Sequence, residues 1–168
     1  MTAGPRTILF LCTGNSARSI IAEALVNHLG AGRFRAVSAG SHPKGEPHPM
    51  ALRVLEEEGI ATAGLASKNW RDFAGPDAAP IDFIITVCDN AAGEECPVWP
   101  GRPITAHWGI ADPAAVEGEG QHWAFERALR SLRARIGLLL ALSDENVNAL
   151  ALKTIGQSEG ASPGAAHG

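Results

Sequence analysis

No stretch of this sequence is long and apolar enough to span a bilayer. The longest early apolar run, Ile8 to Cys12, breaks at Gly14, Asn15 and Ser16, well short of the roughly 20 apolar residues of a membrane helix and of a signal-peptide core. Basic charge is also scarce, with 14 Lys and Arg against 18 Asp and Glu and a formal net charge of −4. A phosphate-backbone partner would require a surplus of cations on one face, so DNA and RNA binding are not expected. Cysteine is limited to three residues. That odd number, with no export signal, argues against a disulfide framework and leaves reactive thiols as the alternative to inert ones. Six histidines contain no pair at zinc-finger spacing, so no metal is expected. Internal repeats are absent. These exclusions describe a cytoplasmic protein without a membrane or nucleic-acid partner.

A chain of 168 residues, 45% hydrophobic, suffices for one core and one domain. Thr7 to Leu11 is continuously apolar and partly β-branched, as expected of a strand buried on both faces. It breaks into Cys12-Thr13-Gly14-Asn15-Ser16-Ala17-Arg18-Ser19. Beyond that, Ile20, Ile21, Ala24, Leu25 and Leu29 recur at helical spacing up to Gly30. Arg35 to Ala39 predicts a second strand, and Pro49 to Gly59 a second helix with proline in its first turn. Ile81 to Cys88 is the clearest later strand, and Pro103 to His107 a short fourth. Gln121 to Leu142 predicts a long helix carrying Phe125, Leu129, Leu132, Ile136 and Leu139 on one stripe. The alternation implies a three-layer α/β/α sandwich around a four-stranded parallel sheet. From Asn146 periodicity fades into Gly, Ala and Ser, so the expected division is a domain over 1–145 and a flexible tail over 146–168.

The chemistry concentrates after the first strand. A cysteine at the carboxyl end of a strand, on a loop that opens a helix, stands where open α/β sheets place ligands. Backbone N–H groups of Thr13, Gly14, Asn15, Ser16, Ala17 and Arg18 can turn inward as a nest for a tetrahedral oxyanion, reinforced by the positive end of the helix. The same field is expected to lower the Cys12 pKa, while Arg18 offers a planar fork to two oxygens. Asn15 can adopt a left-handed conformation and brace the loop. Ser19 can donate to the Cys12 thiolate.

The run Ile8 to Ser19, followed by Ala22-Glu23-Ala24, resembles the low-molecular-weight tyrosine phosphatase superfamily, and Cys-Thr-Gly-Asn-Ser is nearest its arsenate reductase branch. Ser38-Ala39-Gly40, Thr86-Val87-Cys88-Asp89, Glu95-Cys96-Pro97, His107-Trp108-Gly109 and Asp112-Pro113 continue the likeness over residues 7 to about 142. The resemblance implies that Asp112 is the proton donor opposite the nucleophile Cys12. It implies that Cys88 attacks the sulfur of an arsenic adduct and that Cys96 then takes over the disulfide. Arsenate would be the substrate, with phosphate or sulfate as analogues. No tightly bound cofactor is expected; an external thiol reductant, thioredoxin or glutathione with glutaredoxin, would close the cycle, and the protein is expected to act as a monomer. The chain departs from the pattern at Ala17, where thioredoxin-linked relatives carry a cysteine, and at the Cys88 to Cys96 spacing.

Two other functions fit the same loop. A phosphatase of this fold would sandwich an aromatic substrate ring with tyrosines near the acid loop, and this chain contains no tyrosine. A regulatory module would bind the oxyanion without turnover. Some relatives hold potassium through residues matching Asn15, Glu23 and Ser38, but their further acidic ligand aligns with Lys68.

Overall fold

The computed structural model describes residues 4–75, 77–88, 99 and 102–157. Ile8, Leu9, Phe10 and Leu11 are wholly buried, as a central strand covered on both faces must be. They belong to β1 (Arg6–Leu11), which lies between β2 (Phe34–Ala39) and β3 (Phe83–Thr86); β4 (Ile104–His107) follows in the order β2-β1-β3-β4. All pairings are parallel. Leu11 stands opposite Ala39 on one side and Thr86 on the other. The segments that leave these three strands, beginning at Cys12, Gly40 and Val87, therefore emerge along one edge of the sheet.

Four helices cover the sheet: α1 (Arg18–Leu29), α2 (Pro49–Glu57), α3 (Gly120–Leu140) and α4 (Ala149–Gly156). This is the α/β/α architecture that the alternation of elements implies. On α3 the expected stripe is the buried one, with Phe125, Leu129, Leu132, Ile136 and Leu139 at most 2% exposed. Pro49 opens α2, and His48 caps it by accepting from the Met50 N–H through Nδ1 at 3.0 Å. No helix among the described residues is long and apolar enough to cross a membrane.

The third strand is shorter than the apolar run that announced it. Regular pairing covers Phe83–Thr86 rather than 81–88, because β1 ends at Leu11 and β4 at His107. Single bonds extend it at both ends: Asp82 N–H to Thr7 O at 3.0 Å, and Val87 N–H to Leu11 O at 2.9 Å.

Residues 149–156 correct the expected tail. Instead of an aperiodic segment they form α4, capped by Asn148 Oδ1 accepting from Ala151 N–H at 2.9 Å. Leu152 and Ile155 are buried, and the Leu152 carbonyl accepts from Trp108 Nε1 at 2.9 Å. Gly156 passes so close to β4 that a Cβ there would lie 2.4 Å from His107 O. Two anchors on eight residues are too few for a periodic signal, and such a helix is stable only against its docking surface. Leu152→Ala should lower unfolding free energy by about 2–4 kcal/mol. Urea denaturation followed by tryptophan fluorescence checks this.

Candidate active site

After β1 the chain turns at Cys12 into a loop that ends where α1 begins. The turn requires a left-handed residue, and Asn15 takes it with φ of 42°. Its buried amide compensates for the strain. Asn15 Nδ2 donates to Ser19 Oγ at 2.8 Å and to Ser38 Oγ at 2.9 Å, and Oδ1 accepts from Lys68 N–H at 2.7 Å.

The loop's carbonyls are drawn off by the segment that follows β2. His42 N–H donates to Thr13 O (2.9 Å), Lys44 N–H to Gly14 O (3.0 Å) and His48 N–H to Ser16 O (2.8 Å). By contrast, the N–H groups of Asn15, Ser16, Ala17 and Arg18 meet no backbone acceptor among the described residues, although Asn15, Ser16 and Ala17 are buried. Buried amides without partners are costly and rare. Three in succession, followed by the Arg18 N–H at the start of α1, make a cradle for an anion.

Gly40 is what lets β2 pass this loop. A Cβ at that position would lie 2.4 Å from Thr13 O and 2.5 Å from Cys12 O. Both contacts are with backbone, so the cradle itself would have to move. Gly40→Ala should cost about 1–3 kcal/mol of stability and weaken phosphate binding at the loop. Chemical denaturation and isothermal titration with inorganic phosphate measure the two effects.

Arg18 reaches across to the loop after β4. Its Nη1 donates to Ile110 O at 2.7 Å, and Nη2 lies 3.8 Å from Asp112 Oδ2. Nε is buried without any partner. The symmetric fork expected from sequence is therefore half occupied. The edge left for an oxyanion is the Nε side, where Nε–H and an Nη2–H run parallel and bidentate geometry is still available. Asp112 is partly exposed and caps the Pro113–Ala115 turn through Oδ1, which accepts from Ala114 N–H at 2.9 Å. The cradle's arginine thus joins the loop that carries the proposed acid.

Cys12 and Cys88 are both buried and not disulfide-bonded. The Cys88 side chain lies beside Cys12, close enough to be the largest influence on its thiol. Cys88 Sγ also accepts from the Thr13 N–H at 3.4 Å and lies 3.8 Å from Thr13 Oγ1. The neighbouring Cys88 side chain and burial push the Cys12 thiol far above its ordinary range, against the opposing pull of the Arg18 guanidinium and the Gly14 N–H. The expected lowering is corrected: the loop and Arg18 act in the foreseen direction, but a second thiol against the first outweighs them. Ser19 is corrected too. Its hydroxyl accepts from Asn15 and forms no hydrogen bond with Cys12. Cys96 lies outside the described residues.

The potassium ligands suggested by resemblance come together, but their capacity is spent. Ser38 Oγ donates to Glu23 Oε1 at 2.5 Å, and Lys68 Nζ stands 3.5 Å from the same oxygen while donating to Ala66 O at 2.7 Å. An ammonium already faces the carboxylate. These residues do not fit a bound potassium ion.

Sequence reasoning missed the carbonyl of Ile110 and the N–H groups of His42, Lys44 and His48. Backbone groups carry no residue signature, so nothing in the sequence could have marked them. Gly40 could have been found, since it closes the Ser38-Ala39-Gly40 segment.

A four-stranded parallel sheet with a cysteine–arginine anion loop at the end of its first strand defines the cysteine-dependent, phosphatase-like enzymes. The chain belongs to one family among them, the low molecular weight phosphotyrosine protein phosphatases, whose model matches residues 7–150. It is 40% identical to an arsenate reductase of Bacillus licheniformis over 128 residues, 74% of this chain and 87% of that protein. A solved arsenate reductase in its phosphate binding state superposes with a TM-score of 0.67 at 28% identity, covering 81% of this chain and 97% of the other. A thioredoxin-dependent arsenate reductase of Corynebacterium glutamicum gives 0.61 at 27% identity, with 83% and 62% covered.

Proposed function

We propose that this protein is an arsenate reductase. The observation that carries the reading is the second buried thiol: Cys88 lies beside Cys12, its sulfur accepting from the N–H of Thr13 in the same loop, where hydrolysis alone requires one sulfur. The free amides of the cradle and the unpartnered Arg18 Nε suit a tetrahedral oxyanion such as arsenate, and the relatives bearing that activity support the choice.

In the reaction, arsenate enters the loop and the Cys12 sulfur attacks arsenic while its thiol proton passes to an arsenate oxygen that stays on arsenic. An arsenic–oxygen bond breaks and the oxygen leaves as water, protonated by Asp112. Cys88 then attacks the Cys12 sulfur. The S–S bond forms, the sulfur–arsenic electron pair passes to arsenic, and arsenic(V) leaves as arsenic(III) in arsenite. Cys96 attacks Cys88 and releases Cys12. An external dithiol, thioredoxin or glutaredoxin with glutathione, reduces the Cys88–Cys96 bond. The protein works as a cytoplasmic monomer and keeps a residual phosphatase activity, since the cradle accepts phosphate geometry equally.

Arsenate-dependent NADPH oxidation, coupled in turn to the thioredoxin and glutaredoxin systems, tests the assignment. Turnover with one of them supports it. Aryl phosphate hydrolysis without any arsenate turnover would make the protein a phosphatase, and phosphate binding with neither activity would make it an oxyanion-binding module.

A further inference from the structure

Arg135 is a cost that the reaction described so far does not use. It lies in the middle of α3, is 1% exposed, and has no acidic partner among the described residues. Its Nε is buried without a hydrogen bond, as is the Ser131 hydroxyl one turn earlier. Burial alone pulls its pKa down. An apolar residue of similar volume would be cheaper in such a place, because a buried charge without a counter-ion is poorly compensated. Among the described residues, the one hydrogen bond Arg135 makes is from Nη1 to Gly109 O, at 3.2 Å.

Gly109 precedes Ile110, whose carbonyl holds Arg18 Nη1 at 2.7 Å. Two guanidinium groups therefore grip consecutive carbonyls of one loop, Arg18 from the cradle and Arg135 from α3. Two residues further on stands Asp112. The α3 helix also packs against the Pro113–Ala115 turn that Asp112 caps. The peptide between Gly109 and Ile110 is held at both of its polar groups, its N–H by Val87 O at 3.2 Å and its carbonyl by Arg135, and Arg18 holds the carbonyl of the next peptide toward Asp112.

We infer that Arg135 is a positioning residue, which locks the Gly109–Ile110 peptide so that Asp112 is presented to the oxyanion in the Cys12–Arg18 loop. The inference rests on the reading of Asp112 as proton donor given above. Arg135 acts through the loop and does not touch substrate.

The experiment is a cycle in the full-length protein: Arg135→Met, Asp112→Asn and the double variant, with kcat and KM for arsenate and the dissociation constant of inorganic phosphate measured for each. Arg135→Met should fold as stably as the parent, reduce kcat at least 10-fold and remove the alkaline limb of the pH–rate profile, on which a proton donor is lost. In the Asp112→Asn background the same substitution should change kcat less than 2-fold, since there is no acid left to place. Arg135→Lys, which keeps a donor that can reach Gly109, should recover part of the rate; it also serves if Arg135→Met does not fold. Equal losses in both backgrounds, or parental kinetics for Arg135→Met, would overturn the inference. If the parent does not reduce arsenate, the assignment of function fails by itself. The same cycle run on aryl phosphate hydrolysis, where Asp112 would protonate the leaving group, then decides the role of Arg135.

Discussion

Replacing Cys88 by alanine should reduce steady-state arsenate reduction by on the order of 10³-fold or more, because no other described thiol lies against Cys12 to take the sulfur from arsenic. Phosphate binding should persist, since the cradle's donors come from the loop amides and Arg18 rather than from Cys88. A second effect follows from the electrostatics. The neighbouring Cys88 side chain is the foremost cause of the high Cys12 pKa, ahead of burial. Removing it leaves the Arg18 guanidinium and the Gly14 N–H less opposed, so the thiolate should appear at lower pH. The rate of Cys12 alkylation by iodoacetamide, followed against pH, should shift to the acid side in Cys88→Ala. Steady-state turnover at the parental rate would reject the relay. An unshifted or basic-side alkylation profile would reject the electrostatic account while leaving the relay intact.

Arg18→Lys should lower kcat/KM for arsenate by about 10²–10³-fold, the loss that follows removal of a preorganised donor to a developing oxyanion. Lysine keeps the charge but cannot present two parallel N–H groups, nor can one ammonium both hold Ile110 O and face the anion. Inorganic phosphate, as a competitive inhibitor, should weaken by at least 10-fold in parallel. Because Arg18 also ties down the Ile110 carbonyl, the alkaline limb of the pH–rate profile, on which a proton donor is lost, should flatten as well. Inhibition constants and pH–rate profiles of parent and variant test both consequences. A loss under 3-fold would mean that the loop amides bind the oxyanion without the guanidinium.

The two variants act on different links of one chain. Cys88→Ala leaves the oxyanion held and the electrons with nowhere to go, whereas Arg18→Lys impairs the first attack. Rapid-quench measurement of a single turnover separates them: Cys88→Ala should accumulate an adduct on Cys12, and Arg18→Lys should accumulate none.

Much of the fold was legible because its signals are local. A buried parallel strand has to be apolar throughout, and Ile8 to Leu11 is; a packed helix has to repeat its apolar residues every three or four positions, as Phe125 to Leu139 do. α4 was not legible, because Leu152 and Ile155 acquire their meaning from the surface around Trp108. For the same reason the run Ile81 to Cys88 overstated its strand: pairing stops where the neighbouring strands stop, and a strand's own residues do not record that.

By itself the sequence determined that Cys12 stands at the mouth of a central strand, that Arg18 opens the next helix, and that a second thiol, Cys88, follows a parallel strand. These depend on residue type and on spacing along the chain. Only the tertiary structure decided that Cys88 touches Cys12 and raises its pKa, that Ser19 turns to Asn15, that half of the Arg18 fork is held by Ile110, and that Gly40 must be bare to clear the loop. Those outcomes depend on distances between groups far apart in sequence. Hydrogen bonding and burial change sharply over a single ångström, which spacing along a chain cannot specify.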